Sequence, residues 1–496
     1  MKRIDVDRSK VSPMMLHYLE IKDKYPDTII FYRLGDFYEM FFDDAEKASR
    51  ELELTLTGRN AGLDERVPMC GVPYHAYMGY VTKLINKGYK VAICEQLEDP
   101  KFAKGIVDRD VIEVITKGTL LNNLEDEKSN NYLASIYYMN NSFTLTYADI
   151  STGEVNSLIL DNQDDLIKEI INHNIKELIC NDKLDRELIY ILKSNYHILV
   201  TITDNLCNED NYQYIYSDEK DLRVITGIKH LLAYINETKK VSLSHLKKVN
   251  HYEENEFLQF DIHTKRNLEL TETLRDNERI YSLMWLLDKT KTAMGGRFLK
   301  NNILQPLYDK DKIERRYKYV EIFLKEFIYR EELLKLLDSF YDLERLSGRI
   351  SYGNANAKDM IQLLESIKKL PDIKRILENI GYDRELKTLD ELVKLLRESI
   401  NPDAPMTLHD GELIKNGYNK ELDELKSIRK NSKDYILSIE NKEKERTGIK
   451  NLKVGYNKVF GYYIEVSKGN IKDILPEYGY IRKQTLTTGE RYITEE

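Results

Sequence analysis

What most limits the folds open to this chain is a change of texture at Asn255. Before that point, short apolar runs alternate with amphipathic stretches, the mark of strands and helices in turn. From Asn255 to Glu443 apolar positions recur at three and four, and Pro and Gly are rare, so this part reads as helices. At Gly448 the pattern shifts again, to β-rich runs punctuated by glycine. A chain of 496 residues also outgrows a single hydrophobic core. The expected architecture is multidomain: α/β first, then all-α, then a small β-rich end.

Local signals divide it further. Residues 1–117 read as one compact α/β unit. Ser12 with Pro13 supplies an N-cap and a proline at the first helical position. The helix "PMMLHYLEIKDKY" stops before Pro26, and Gly35-Asp36 breaks the strand "TIIFYRL". "DDAEKASRELEL" reads as a helix and "TGRNAGLDERVPMCGVPYH" as a long loop. Gly88 closes the helix "AYMGYVTKLINK", and "YKVAICEQ" reads as a buried strand. The polar stretch from Asn122 to Asn131 reads as a linker. Residues 128–250 read as a second α/β domain, opening with three strands separated by Asn140-Asn141 and Thr152-Gly153, both hairpin signals.

Residues 255–443 are expected to be helical. The last of these helices carries only a partial apolar seam (Leu422, Leu425, Ile428, Ile436, Ile439) and should project from its core. In residues 444–496, "LKVGYNKVFGYYIEVSK" reads as a hairpin punctuated by Gly455-Tyr456-Asn457 and Gly461. "GERYITEE" reads as the start of another helix.

Charge has to be taken by region. The net charge of −9 argues against a nucleic-acid protein, whose footprint is basic. From Asn441 to Ile493, however, 11 Lys and Arg stand against 6 Asp and Glu. The four cysteines form no C-x-x-C pair, which excludes the usual zinc and redox motifs and suggests a reduced, cytosolic setting. "MKRIDVDRSKVSPMM" lacks the apolar core of a signal peptide, and no run reaches the ~18–20 apolar residues of a membrane span.

Several runs, in this order, resemble the MutS family of DNA mismatch-recognition proteins: "FYRLGDFYEMFFDDA", "VPMCGVPYHA", "VAICEQLEDP", "DIHTKRNLELT", "DLERLSGRI" and "LKVGYNKVFGYYIEVSKGN" followed by "YIRKQTLTTGERYI". The resemblance implies four parts. They are a small α/β mismatch-recognition domain, an RNase H-like connector, a long-helix core with levers, and a small β-rich clamp. It also implies a C-terminal ATPase using ATP or ADP with Mg, for which no G-x-x-x-x-G-K-[ST] run occurs here; there is no Gly-Lys dipeptide at all. The chain is therefore expected to be the N-terminal part of a longer protein, with no cofactor or metal of its own. Family partners would be duplex DNA carrying mismatches or small loops, a second copy of the full-length chain, and a MutL-type repair protein.

The family's F-x-E motif falls on Phe37 and Glu39. In an extended segment these point the same way. Phe37 would wedge beside an unstacked base, where aromatic stacking contributes roughly 1–3 kcal/mol. Glu39 would bond the displaced base, accepting from a thymine N3–H or, if protonated, donating to a purine N7; the latter requires a raised pKa. The bland alternatives are that Phe37 packs beside Phe31, Phe41 and Phe42, and that Glu39 is a solvated acid at a helix start.

Arg59 and Asn60, on a glycine-flanked loop, are candidates for the DNA backbone, and Met69 with Cys70 for the same surface. His75 reads as structural. In the basic end, Lys450, Lys453, Lys458, Lys468, Arg482 and Lys483, with Asn457 and Asn470 as neutral donors, would neutralise phosphates without reading sequence. Two other functional classes stay open: a nuclease using Asp149, Asp161, Asp164 or Asp165 of the second domain, and a helical scaffold with no role on DNA.

Overall fold

The computed structural model describes residues 6–494 apart from 64, 99–106, 121–126, 242, 253–255, 259, 383–384, 431 and 458–460. It divides into two compact units, Met1–Val393 and Lys394–Glu496.

The first unit opens with a six-stranded sheet in the order β3-β4-β2-β1-β5-β6. Its strands are β1 (Thr28–Leu34), β2 (Phe37–Phe41), β3 (Thr57–Arg59), β4 (Val67–Pro73), β5 (Lys90–Gln96) and β6 (Arg109–Ile115). Alternate side chains feed two cores. Phe31, Tyr38, Met40, Cys70 and Val72 pack with helices α2 (Phe42–Leu52) and α3 (Tyr77–Asn86) on one face. Tyr32, Phe41 and Val67 pack with α1 (Pro13–Lys24) on the other. A buried ion pair, Lys22 to Asp44 at 2.8 Å, joins the two helix layers, and Tyr18 donates to the same carboxylate.

One sequence reading fails here. "VPMCGVP", within the stretch expected as a long loop, is strand β4. Ladders from β2 and β3 on its two sides hold it, and its prolines lie near its ends.

The second sheet, in the order β11-β10-β7-β8-β9-β12, contains β7 (Tyr132–Met139), β8 (Ser142–Asp149), β9 (Glu154–Leu160), β10 (Glu177–Cys180), β11 (Leu199–Ile202) and β12 (Asn250–His251). The first three strands are antiparallel and the next two add in parallel, which is the RNase H-like arrangement. Asn140 and Asn141 both take positive φ in the first hairpin, as its two-residue turn requires. Helices α4 (Gln163–Asn172), α5 (Arg186–Ser194) and α6 (Leu222–Lys239) cover the sheet. A polar seam fixes this domain to the first. Lys90 donates to Thr201 at 2.7 Å, the Gly118 N–H donates to Glu177 at 2.7 Å, and buried Lys239 pairs with Glu113.

Helices dominate from Ile262 onward. Arg297, almost fully buried, pairs with Asp342 and Glu344 at 2.7 Å each and so ties Ala293–Leu304 to Leu343–Ser351. In the second unit, helices Lys420–Lys430 and Ser432–Thr447 lead into a four-stranded sheet, β13 (Lys453–Asn457), β14 (Gly461–Ser467), β15 (Ile481–Thr485) and β16 (Gly489–Ile493), ordered β13-β14-β16-β15. "GERYI" is thus an interior strand and no helix start. Tyr492 is buried, and Gly489 lies so close to Val466 that a Cβ there would sit 2.3 Å from its carbonyl oxygen. Gly455-Tyr456-Asn457 likewise belongs to the strand, the Tyr463 ring lying across Gly455.

Candidate nucleic-acid interface

β1 and β2 are joined by Gly35 and Asp36 alone, with Leu34 paired to Phe37. Gly35 takes φ +56°, which glycine adopts without strain. This tight turn places Phe37 at the hairpin tip, where it is 47% exposed and outside every core cluster. Phe31, Phe41 and Phe42 are all buried, so the core-packing alternative for Phe37 fails. Beneath the tip, Tyr38 is buried on the opposite face and donates to Glu95 at 2.5 Å. Arg33 lies 3.9 Å from the centre of the Tyr74 ring, and the Tyr74 N–H donates to Asp36 at 3.0 Å, bracing the turn against the end of β4.

Glu39 is two residues along the same face. It is a half-buried strand residue and no solvated acid at a helix start. Its carboxylate accepts from Arg59 Nη1 at 2.5 Å. Burial pushes the Glu39 carboxyl above its ordinary range, and the Arg59 guanidinium opposes that rise. In the ladder Glu39 faces Gly71.

Arg59, expected on a loop, ends the edge strand β3. Pairing with Val67 fixes its backbone, and the guanidinium reaches across β4 to Glu39. Asn60 follows in the loop and is exposed. Met69 is half-buried in β4 against the core on the α1 side, and Cys70 is wholly buried on the other face; burial pushes its thiol up to about 12. Nothing local in the sequence signals the Glu39–Arg59 pair, which depends on the register of three strands.

In the second unit Lys450 and Lys453 are exposed. Asn457 ends β13, and Lys458 lies outside the described residues. Lys468 opens the short turn Lys468–Asp473 and is exposed. Asn470 is occupied within that turn, accepting from Ser467 at 3.1 Å and donating to Asp473 at 2.9 Å. Arg482 and Lys483 lie on β15, an edge strand exposed along its whole length. Arg482 leans on Glu490 at 3.3 Å, and Lys483 is the unpaired residue of a bulge. Sequence reasoning overlooked two exposed aromatics here: Tyr456 and Tyr462 face each other across β13 and β14 with ring centres 5.0 Å apart.

Of the second domain's four candidate acids, Asp161 and Asp164 are exposed and Asp149 and Asp165 are otherwise engaged. Asp149 is fully buried and accepts from Ser151 N and Oγ, Asn130 Nδ2 and Asn131 N at 2.7–3.2 Å. Asp165 pairs with Lys168 at 2.6 Å in the first turn of α4. Among the described residues no group of three or more His, Cys, Asp or Glu could hold a metal ion, and no helix is long and apolar enough to cross a membrane.

Four family models match in sequence order: MutS domain I over residues 12–123, MutS domain II over 131–247, MutS domain III over 263–446 and MutS family domain IV over 417–496. This chain belongs to the MutS family. Among curated MutS relatives, "DNA mismatch repair protein MutS" of a Geobacillus species is 46% identical over 98% of this chain. The proteins of the same description from Bacillus subtilis and Clostridium tetani are 45% and 46% identical over the same share. The chain spans 57% of the length of each of these MutS proteins.

Proposed function

We propose that this chain recognises mismatched or unpaired bases in duplex DNA and so begins mismatch repair. The observation that carries the reading is the pairing of an exposed Phe37 at a braced hairpin tip with a half-buried Glu39 on the same face, in a chain of this family. Phe37 stacks at the lesion. A matched step resists unstacking, whereas a mismatched step yields more easily, so deformability does much of the selecting. Glu39 bonds the displaced base: ionised it accepts, and burial, which raises its pKa, favours the protonated form that donates. Asn60 and Met69 border the same surface. Lys468, Arg482 and Lys483, with Asn457 at the end of β13, hold the backbone, and Lys458 is given the same task from its charge; Asn470 shapes the turn that carries Lys468.

The longer protein would add the rest. ATP with Mg would drive it, a second copy would close around the duplex, and a MutL-type protein would receive the signal; no residue of this chain is assigned to those tasks. A nuclease on the second domain is disfavoured by Asp149, whose oxygens are already taken by four donors.

The test is Phe37→Ala. Stacking of roughly 1–3 kcal/mol corresponds to a loss of about fivefold to 150-fold in preference for a mismatched over a matched duplex. Because Phe37 is exposed, the fold should survive, which circular dichroism checks. A folded variant that keeps its full preference overturns the role given to Phe37.

A further inference from the structure

Glu39 is a candidate for a base and Arg59 for a phosphate, yet in this structure they are bound to each other. The contact is direct at 2.5 Å, and its two side chains are 17% and 38% exposed. Neither partner arrives by chance. β3 and β2 are separated by β4, and the register sets Arg59 opposite Val67 and Glu39 opposite Gly71, so the pair forms diagonally across β4. The guanidinium also lies 6.0 Å from the centre of the buried Phe41 ring, which supports it from the sheet side.

The groups around Glu39 leave Arg59 as its sole counter-ion among the described residues. From β1 the register partner is Tyr32, a buried phenol pushed up to about 12 by burial and hydrogen-bonded to His17 at 2.9 Å. From β4 come Gly71 and Met69, which do not ionise. On its own strand, Tyr38 turns to the opposite face and Glu95.

We infer that Arg59 is a positioning residue for Glu39 and acts by exchange: it holds the carboxylate until a displaced base takes its place, and is then released to a DNA phosphate. The inference rests on the proposed reading of mismatches. A matched duplex keeps its base N–H groups paired and offers Glu39 nothing, so Arg59 stays where it is and one phosphate contact is never made. A mismatched duplex supplies the substitute partner and gains the phosphate contact as well. Reading and holding are thereby coupled through a single ion pair. With Arg59 gone, the carboxylate is half-buried without a counter-ion, and burial alone sets its titration.

Two measurements on the 496-residue chain test this. The first needs no DNA: the Glu39 side-chain carboxyl is followed by NMR against pH in the wild type, Arg59→Gln and Arg59→Lys. The expected midpoint is higher in Arg59→Gln and is returned most of the way by Arg59→Lys. An unchanged midpoint in Arg59→Gln overturns the inference while leaving the mismatch-reading function standing.

The second compares salt titrations on a short duplex with one G·T mismatch and on its matched counterpart. In the wild type the slope of log affinity against log salt should be steeper by about one unit on the mismatched duplex. Arg59→Gln should remove that difference. Equal wild-type slopes on the two duplexes overturn the exchange. Equal loss of slope on both in Arg59→Gln also overturns it, since Arg59 would then touch phosphate whether or not a lesion is present. Failure of the function itself looks different: the wild type then shows no preference between duplexes, while the carboxyl titration still responds to Arg59.

Discussion

The recognition sheet and the C-terminal sheet hold their candidate side chains in opposite ways. Phe37 and Glu39 belong to β2, an interior strand laddered on both sides, and each is constrained further, one by a two-residue turn and the other by an ion pair. Arg482 and Lys483 belong to β15, an edge strand with every residue exposed, and Lys483 is not even in register. The difference follows from the tasks proposed for them. A group that reads a base must be preorganised, because a small misplacement forfeits the contact. A group that neutralises phosphate needs charge and reach, since phosphates repeat along the duplex and carry no sequence.

The comparison breaks most visibly at glycine. Gly489 is where β16 passes closest to β14, with backbone in the way of any side chain. Gly489→Ala should therefore cost about 1–3 kcal/mol as an overpacked site and lower the melting temperature of the second unit. Gly35 in the recognition sheet has open space around it and needs only its positive φ. Gly35→Ala should cost about 1–2 kcal/mol through conformation alone, and Gly35→Asn less, because asparagine tolerates that region. If the two alanine variants respond alike to an asparagine replacement, space is not what Gly489 supplies.

A second test separates holding from reading. The double variant Lys468→Ala, Arg482→Ala should flatten the salt dependence of binding by about two units if each residue meets one phosphate. The loss should be the same on matched and mismatched duplexes. A variant that loses mismatch preference with its salt slope intact would reverse the division of labour between the sheets.

How far these features could be seen in the sequence depended on how local they are. The hairpin at Asn140-Asn141 and the helix begun by Ser12-Pro13 are written in adjacent residues, and both formed as expected. β4 was hidden because Pro68, Gly71 and Pro73 signal a loop locally, while its strand state is imposed by β2 and β3. β16 was misread for the same reason: five residues with one buried aromatic become a strand only between β14 and β15. Arg59 reads locally as a loop cation because its partner lies 20 residues away in sequence and two strands away in space. The direction of the Glu39 pKa was anticipated from the chemistry of base recognition, and burial supplies it.

That direction gives the smallest effect and the one most specific to the recognition sheet. Burial raises the Glu39 carboxyl in the folded chain above its value in the unfolded chain. A carboxyl shifted that way favours the fold fully below the unfolded pKa, and this contribution is lost as pH rises through the folded pKa. Glu39→Gln cannot titrate, so it keeps the neutral packing at every pH. The variant and the wild type should unfold alike under acid conditions well below the ordinary glutamate pKa of 4.5. Above it, the variant should become the more stable of the two, with the gap levelling once the folded carboxyl is fully ionised. Thermal unfolding of both proteins across that range measures the gap. Repeating it in an Arg59→Gln background should carry the levelling point to higher pH, because nothing then opposes the effect of burial. Glu490 of β16 is shifted the other way, lowered by its hydrogen bond from Tyr492 and by Arg482. Glu490→Gln should therefore lose stability relative to the wild type as pH rises through the acid range, opposite in sign to Glu39→Gln. If both variants move in the same direction, burial is not what distinguishes Glu39 from Glu490.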